Sequence, residues 1–266
     1  MPINYQSKII MDKPNVQFVP DTLFSVGPLN FSTGHLAMFV IVILISVVLV
    51  SIASRAKLKP SRAQLALEAV LVWFLEKVEK SFSNKKVARR IFPLIMTMFF
   101  VILVSNLFSI LPFVDALTFG DGVPLLRAPT SDVSMTLALG IFSVVLSHVI
   151  AFIKSPLGHL SNYFTIMPVF KAKNGGEFGQ ALFDFFLHLY DIIGEMAKIV
   201  SISFRLFGNI FSGVAMAAVF GFLAPYIIPM PFNVIGIFSG CIQAVVFSLL
   251  ALQFLSSPLA SVEGNE

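Results

Sequence analysis

Long apolar segments with almost no charged residues constrain this chain more than any other feature. The first, residues 36–54, reads LAMFVIVILISVVLVSIAS and contains no charged residue. A helix of this length just spans a hydrocarbon core of about 30 Å at a rise of about 1.5 Å per residue. Charged residues make up 12% of the chain, against roughly 25% in soluble domains, which is too few to cover a soluble domain of this length. The sequence therefore predicts an all-α integral membrane protein.

The basic residues lie at the ends of the apolar segments, where they act as orientation signals. Four of them, within residues 55–62, directly follow the first apolar segment, and positive flanks mark the cytoplasmic side of a membrane. We therefore expect residues 1–35 to lie outside and the C-terminus to lie inside. No cleavable signal peptide is evident, so we also expect residues 1–35 to be retained. The net charge of +4 fits this distribution, so no nucleic-acid partner is predicted. The single cysteine, Cys241, leaves no intrachain disulfide and no cysteine metal site, and we expect no cofactor.

The remaining segments predict a single membrane domain over residues 1–266. Residues 61–90 carry apolar side chains at helical spacing with charged ones away from that stripe, which predicts an amphipathic helix along the inner membrane surface. Residues 91–153 predict a transmembrane hairpin, whose first span ends near Val114. Residues 178–257 predict a pair of long helices, over 178–222 and 232–257, joined by a proline-rich turn.

Ionisable and polar residues recur on one stripe of the first long helix, around Arg205. Counted in steps of one or two helical turns, they fall on a single face. The other members of this stripe are Asp184, Asp191, Lys198, Ser201, Asn209 and Ser212. Charged groups inside a membrane are costly and usually face water or a partner, so the stripe looks like one wall of an aqueous route.

The sequence supports two interpretations of Arg205. In the first, Arg205 and Lys198 are neutralised by Asp191 and Glu195 in a structural network. In the second, a carboxylate from another subunit is the partner, because Arg205 stands ten residues from the nearest acid on its own helix. An arginine stays charged almost anywhere in a protein, so a membrane-embedded one needs such a partner. Gln243, on the final segment, can hydrogen-bond to a guanidinium across a helical hairpin.

Several stretches resemble subunit a of the rotary F-type ATP synthases. SISFRLFGNIFSG is followed by a proline turn and by SGCIQAVVFSLLALQFL, and FPLIMTMFFVILVSNLFSILP and RAPTSDVSMTLALG agree as well. The matches keep their order from about residue 36 to the end and look most like bacterial and chloroplast members. The resemblance implies a multi-pass protein of an energy-coupling membrane: a bacterial plasma membrane, a mitochondrial inner membrane or a thylakoid membrane.

The resemblance also implies a mechanism. Subunit a sits beside a rotating ring of c subunits, each with a membrane carboxylate, and its other partners are the peripheral stalk subunit b, further ATP synthase subunits and membrane lipid. Two half-channels carry protons, or Na⁺, to and from the ring, and strongly tilted helices follow the ring surface. Arg205 matches the essential arginine between the half-channels, where a fixed cation favours an ionised ring carboxylate. Asn209 and Gln243 match the family's asparagine and glutamine. The chain has no phosphate-binding loop, so nucleotide chemistry is expected in partner subunits.

Some half-channel positions of the family have no matching residue in this sequence. Relatives usually carry an acid or histidine nine residues after the arginine and seven before the glutamine, where this chain has Val214 and Gly236. Asp191 matches an acidic position of the outer half-channel, and we expect Asp191 and Glu195, four residues apart, to take over ion uptake. The full set of half-channel candidates is Asn106, Asp132, His148, Asp184, His188, Asp191, Glu195, Lys198 and Ser201.

Some of these candidates have a structural alternative. Asn106 and Asp132 are expected in packing or channel hydration, and a hydrogen-bonded core histidine is an equal alternative for His148 and His188. At the level of the whole chain, a self-contained secondary transporter is the alternative function. That class calls for inverted repeats or paired broken helices, and neither is visible in the sequence. An inactive membrane scaffold would not need Arg205, Asn209 and Gln243 together.

Overall fold

Six helices dominate the part of the chain that the computed structural model describes. The described residues are 22–26, 29–57, 59–109, 118–119, 123–124, 129–154, 175–223 and 229–263. The helices are α1 Thr33–Ser54, α2 Arg62–Ser81, α3 Lys85–Phe108, α4 Val133–Lys154, α5 Gly175–Leu223 and α6 Pro229–Glu263. Four of these, α1, α3, α4 and α6, are long and apolar enough to cross a membrane. The prediction of an all-α integral membrane protein is confirmed.

Two short antiparallel β-hairpins lie outside the helices, and the sequence analysis does not predict them. β1, Thr22–Val26, pairs with β2, Leu29–Ser32, and β3, Thr118–Phe119, pairs with β4, Val123–Pro124. β2 ends at the residue before α1, so the first hairpin leads directly into the first membrane helix. The end of the second predicted span, near Val114, lies outside the described residues.

The helix predicted over residues 61–90 is divided in the structure, and this prediction is corrected. α2 ends at Ser81 and α3 begins at Lys85, so the basic residues that follow Lys85 belong to the second span. Asn84 explains the break, because its side chain accepts a hydrogen bond from the Lys86 amide at 2.9 Å and caps a new helix. Periodicity alone misses this boundary, since the apolar pattern continues across it.

The packed core is centred on α6, which packs against α3, α4 and α5, and α2 lies against α3. Ile102 of α3, Leu206 of α5 and Phe247 of α6 are almost fully buried. α2 contributes its predicted apolar stripe through Phe74, whose ring centroid lies 4.8 Å from that of Phe99. The remaining apolar surface of the spans is exposed, as expected for helices that face lipid.

Two glycines let neighbouring helices approach closely. A Cβ atom added at Gly140 of α4 would lie 3.2 Å from the Ile199 carbonyl oxygen of α5 and would collide with the Ser203 side chain. A Cβ atom added at Gly240 of α6 would lie 3.1 Å from the Cβ of Asn106 of α3. Small residues commonly permit such crossings in membrane bundles. These contacts position α5 and α6, which carry most of the candidate site residues.

Candidate functional site

α5 and α6 form an antiparallel hairpin whose register places Arg205. Three side-chain contacts define the register: Phe220 with Phe232, Asn209 with Ser239, and Lys198 with Phe254. Position 205 therefore lies opposite positions 243 to 247. The hairpin therefore places Arg205 and Gln243 at the same level, that is, at the same height along the axis of the hairpin.

Arg205 lies on the face of α5 that the rest of the described chain leaves uncovered. Ser203 and Ile210, on the opposite face, are buried, whereas Ser201, Arg205 and Gly208 are exposed. A Cβ atom added at Gly208 would meet nothing within 4 Å. Among the residues that the structure describes, none forms an ion pair with the guanidinium. The exposed face thus presents a cation without a counter-charge from the described part of its own chain.

Glu195, the acid nearest to Arg205 along α5, is bound elsewhere. Its Oε1 lies 2.6 Å from the Nζ of Lys198, and its Oε2 lies 3.4 Å from the Nε2 of His148 on α4. The three side chains are between 19% and 32% exposed. The structural network of the first interpretation therefore forms around Lys198, without Arg205, and the histidine of α4 joins it.

Asn209 links the two helices of the hairpin one turn after Arg205. Its Oδ1 accepts a short hydrogen bond from the Ser239 hydroxyl of α6. Ser212, a further turn along, is exposed and donates to the Asn209 carbonyl oxygen at 3.0 Å. Asn209 therefore fixes α6 in place beside the uncovered cation.

Gln243 lies inside the bundle, with 7% of its surface exposed. Its Nε2 is buried and has no hydrogen-bond partner among the described residues. The hydrogen bond that the sequence allows between Gln243 and Arg205 is not formed, because one side chain is buried and the other is exposed. The two residues share a level of the hairpin but not a face.

The other predicted residues of the α5 stripe are brought together only in part. Asp191 and Ser201 are exposed, like Arg205. Asp184 and His188 belong to α5, but their side chains lie outside the described part of the chain. The side chain of Val214, where relatives carry an acid or histidine, is also outside it. Within the described ranges, no group of three or more His, Cys, Asp or Glu residues is placed to hold a metal ion.

Asn106 and Asp132 have structural contacts of their own. Asn106 is fully buried and donates from its Nδ2 to the Gly240 carbonyl oxygen at 3.0 Å, which ties α3 to α6. Asp132 accepts from the Ser134 amide at 2.9 Å and from the Ser134 hydroxyl at 2.7 Å, which caps the start of α4. Each keeps one buried oxygen, Oδ1 of Asn106 and Oδ2 of Asp132, without a described partner.

Four hydroxyl-bearing residues complete this group, and sequence reasoning missed them. Each carries a buried hydroxyl oxygen that is unpaired within the described chain. They are Thr33, Ser105, Thr130 and Ser203. The sequence shows a related pattern beside them: Asp132 before α4, and Thr136, Gly140 and Ser143 on α4, follow one another at helical spacing and are all buried. That stripe of small and polar residues marks the inward face of α4.

Comparison with known proteins identifies a family. A family model described as ATP synthase A chain matches residues 35–256. ATP synthase subunit a of Acidothermus cellulolyticus is 30% identical over 174 residues, covering 65% of this chain and 55% of that protein. ATP synthase subunit a of Moorella thermoacetica is 27% identical over 239 residues, covering 90% and 95%. ATP synthase subunit a 1 of Hahella chejuensis is 26% identical over 234 residues, covering 88% and 87%.

The matched region contains Arg205, Asn209 and Gln243, and it spans most of the described helices. The family works in ATP synthesis and ion transport as part of a membrane complex. The resemblance drawn from the sequence motifs is confirmed: the chain belongs to the ATP synthase A chain family, the subunit a proteins of ATP synthase.

Proposed function

We propose that this chain is the stator subunit that carries ions to and from a rotating ring of c subunits in an F-type ATP synthase. Two half-channels conduct protons, or Na⁺, and Arg205 separates them. The observation that carries the proposal is the position of Arg205, exposed on α5 and unpaired within the described chain. A permanent cation at that place calls for a carboxylate on a neighbouring subunit.

The surroundings of Arg205 support a protein partner at this surface. We define the Arg205 face as the exposed residues of α5 within two turns of the arginine: Val200, Ser201, Phe204, Arg205, Gly208 and Ser212. Phe204 is 55% exposed and Val200 is 49% exposed. An apolar surface with one uncompensated cation is costly against lipid and is complementary to a ring of apolar helices that carry carboxylates.

Electrostatics gives Arg205 two roles on this face. A fixed cation stabilises the ionised form of an arriving ring carboxylate, so the ring acid releases its ion beside Arg205. The same positive charge repels protons or Na⁺ that would pass directly from one half-channel to the other. Ions therefore cross the membrane only while bound to the ring carboxylates, and this flow rotates the ring.

The lengths of the last two helices favour a strong tilt along the ring surface. α5 has 49 residues and α6 has 35, which correspond to roughly 73 Å and 52 Å of helix, against a hydrocarbon core of about 30 Å. An ordinary tilt of about 20° shortens the projection very little. A helix of the length of α5 stays within the membrane region only if much of its axis runs laterally.

We assign the outer half-channel to the buried polar atoms that lack a described partner. The buried hydroxyls of Ser143 and Ser147 donate to carbonyl oxygens of α4 itself, so they need no water. Seven other buried atoms have no such partner: Thr33 Oγ1, Ser105 Oγ, Asn106 Oδ1, Thr130 Oγ1, Asp132 Oδ2, Ser203 Oγ and Gln243 Nε2. Each unsatisfied buried group costs about 1–3 kcal/mol, and ordered water is the usual remedy.

These atoms follow a line of contacts that leads to the level of Arg205. The turn Pro129–Ser131, just before Asp132, packs against α1, α3, α4 and α5 at one end of the bundle. Asn106 then contacts Gly240 of α6, and Gln243 lies one turn further along that helix. The basic flanks favour an outer position for the starting end. Water along this line would supply the outer path despite Val214 and Gly236.

The expectation that Asp191 and Glu195 take up ions from outside stays a prediction, and it competes with this route. Both residues precede Arg205 on α5, and the charge pattern favours an inner position for the start of that helix. Glu195 is also held by Lys198 and His148. We therefore propose that the exposed Asp191 serves the inner half-channel and that Glu195 fastens α4 to α5.

A self-contained secondary transporter remains the second candidate, and the position of Arg205 counts against it. The substrate site of a transporter lies between helices of the same protein, whereas the Arg205 side chain is exposed. Reconstituting the purified chain without other subunits separates the two functions. A stator subunit alone should show no substrate-coupled uptake into liposomes, whereas a transporter should show it.

The proposed setting follows from the family and from the charge pattern. The complex sits in an energy-coupling membrane, for a bacterial protein the plasma membrane, with the N-terminus outside and the C-terminus inside. The c ring packs on the Arg205 face, and subunit b packs elsewhere on the bundle. Nucleotide binding belongs to other subunits of the complex.

Replacing the central cation tests the proposal directly. Arg205→Ala should abolish ion-driven ATP synthesis while the complex still assembles, because the removed side chain is exposed and forms no ion pair within the described chain. Arg205→Lys should also fail, since an ammonium does not reproduce the planar, weakly hydrated guanidinium. Lys80→Ala is the control, because that side chain is exposed on α2, away from the site. Normal synthesis by an assembled Arg205→Ala complex would refute the proposal.

A further inference from the structure

We propose that a cleft between α1, α2 and α3 holds an acyl chain of an anionic phospholipid, whose phosphate is bound by basic residues at the mouth of the cleft. The cleft has a volume of about 460 Å³, within the range of about 300–1,000 Å³ that is usual for ligand pockets. Its walls include Leu49 and Ala53 of α1, Leu71 of α2, and Met96 of α3. None of the candidate residues around Arg205 lines it.

The interior of the cleft suits a hydrocarbon chain. Its walls are almost entirely apolar, and its two hydroxyl-bearing residues are occupied by their own helices. The Ser46 hydroxyl donates to the Val42 carbonyl oxygen at 2.8 Å, and the Thr97 hydroxyl donates to the Pro93 carbonyl oxygen at 2.8 Å. Because both hydroxyl hydrogens are already used, the walls offer no free hydrogen-bond donor to a polar occupant.

The mouth of the cleft is strongly basic. We call mouth the end of the cleft that lies beside the end of α1 and the start of α3. Ala53, near the end of α1, and Phe92, near the start of α3, line the cleft there. The chain continues from Ala53 into four basic residues without an intervening acid, and two arginines stand just before Phe92. These six residues are Arg55, Lys57, Lys59, Arg62, Arg89 and Arg90.

The acidic side chains near this mouth are themselves engaged. Glu79 pairs with Arg89 at 3.2 Å, and Glu68 accepts from the Nε2 of Gln64 at 2.7 Å. Arg90 is exposed and has no partner among the described residues. Six basic residues against the two acids Glu68 and Glu79 leave the mouth with a net positive charge. This charge complements an anionic lipid phosphate and attracts it at the membrane surface.

Gln64 holds this basic turn in place. It is 8% exposed, and its side chain bonds both polar groups of the Lys57 backbone, accepting from the amide at 3.2 Å and donating to the carbonyl oxygen at 3.2 Å. These two hydrogen bonds fix the end of α1 against the start of α2. An apolar cleft with a rigid cationic mouth matches an amphiphile with one anionic head better than it matches a second protein helix.

The test counts lipids retained by the purified full chain. The chain is washed in a zwitterionic detergent with phosphatidylglycerol and phosphatidylcholine supplied equally, and bound lipid is measured by native mass spectrometry. We expect one phosphatidylglycerol per chain and no comparable phosphatidylcholine. Ala53→Phe, which fills the cleft, and a combined Arg55→Gln, Lys57→Gln and Lys59→Gln variant should each lower retention by about tenfold or more.

Two further measurements keep the outcome interpretable. Val47→Phe introduces the same aromatic side chain on an exposed part of α1 that does not line the cleft, since Val47 is 59% exposed, and it should retain lipid like the parent chain. The charge variant leaves the helices intact, so it decides the matter if Ala53→Phe fails to fold. Equal retention by parent and charge variant would overturn the proposal. So would a cysteine at position 49 that crosslinks to another subunit in native membranes, because the occupant would then be a protein.

Discussion

The two faces of α5 differ in what constrains them. Toward α4 the helix is packed so closely that a single added Cβ at Gly140 has no room, and Ser203 is buried at the contact. On the opposite side Arg205 is exposed and Gly208 has open space around it. The packed face holds the helix in position, and the open face leaves its charge available. We therefore expect the functional contacts of α5 on its exposed face, which the rest of the described chain does not cover.

The largest expected effect comes from adding bulk to one face of α5 at a time and comparing the two variants. Gly140→Val should strongly reduce the amount of assembled complex, because α4 and α5 must move apart, and overpacking typically costs about 1–3 kcal/mol. Gly208→Val should leave the level of folded chain nearly unchanged but should impair ion-driven synthesis, since it adds bulk where the ring is expected. Membrane abundance and synthesis rate, measured for both variants, give the comparison. Equal loss of abundance would show that the two faces are not distinct.

A middle-sized effect tests whether the buried polar atoms form a hydrated path. Gln243→Leu removes a buried amide nitrogen that has no described partner. If the site is dry, the replacement should leave the stability of the protein unchanged or raise it. If the site conducts, ion-driven synthesis should fall by about tenfold, an effect of roughly 1.4 kcal/mol, without loss of stability. Ser143→Ala is the matched control, because that hydroxyl bonds within α4 at 2.8 Å. Reduced synthesis by the control alone would contradict the assignment.

The smallest expected effect concerns the two acids that precede Arg205. Asp191→Asn should alter the dependence of synthesis on inner pH and leave the dependence on outer pH intact. Glu195→Gln weakens the contacts to Lys198 and His148, and should lower stability by about 1–3 kcal/mol with little change in rate. Synthesis measured across both pH gradients, for each variant and for the double variant, decides this. A changed outer-pH profile in the double variant would restore these acids to the outer path.

The sequence predicts the helices well where one physical rule dominates. Apolar length and the absence of charge place α1, and the ten-residue separation of Arg205 from the nearest acid on its own helix predicts the candidate site. The boundary between α2 and α3 is missed, because a cap at Asn84 interrupts the helix without interrupting the apolar pattern. The attachment of Glu195 to His148 is missed as well, because it joins two helices and depends on the crossing at Gly140.

The buried polar atoms mark the limit of sequence reasoning most clearly. Ser143 and Ser203 are both buried serines in apolar helices. Their difference appears only when partners are counted, since Ser143 bonds to its own helix and Ser203 has no described partner. Local sequence does not carry that information, because satisfaction of a hydroxyl depends on rotamer and on the neighbouring helix.

The most direct measurement of the central claim asks which face of α5 touches the ring. In a Cys241→Ala background, which removes the single native cysteine, a cysteine is placed at Ser201 or at Ser203. A second cysteine is scanned along the helix of the c subunit that carries its carboxylate. We predict disulfide formation from position 201, one turn from Arg205, and none from the buried position 203. Crosslinks from position 203 but not from 201 would contradict the account, because the ring would then lie on the side that α4 is expected to cover.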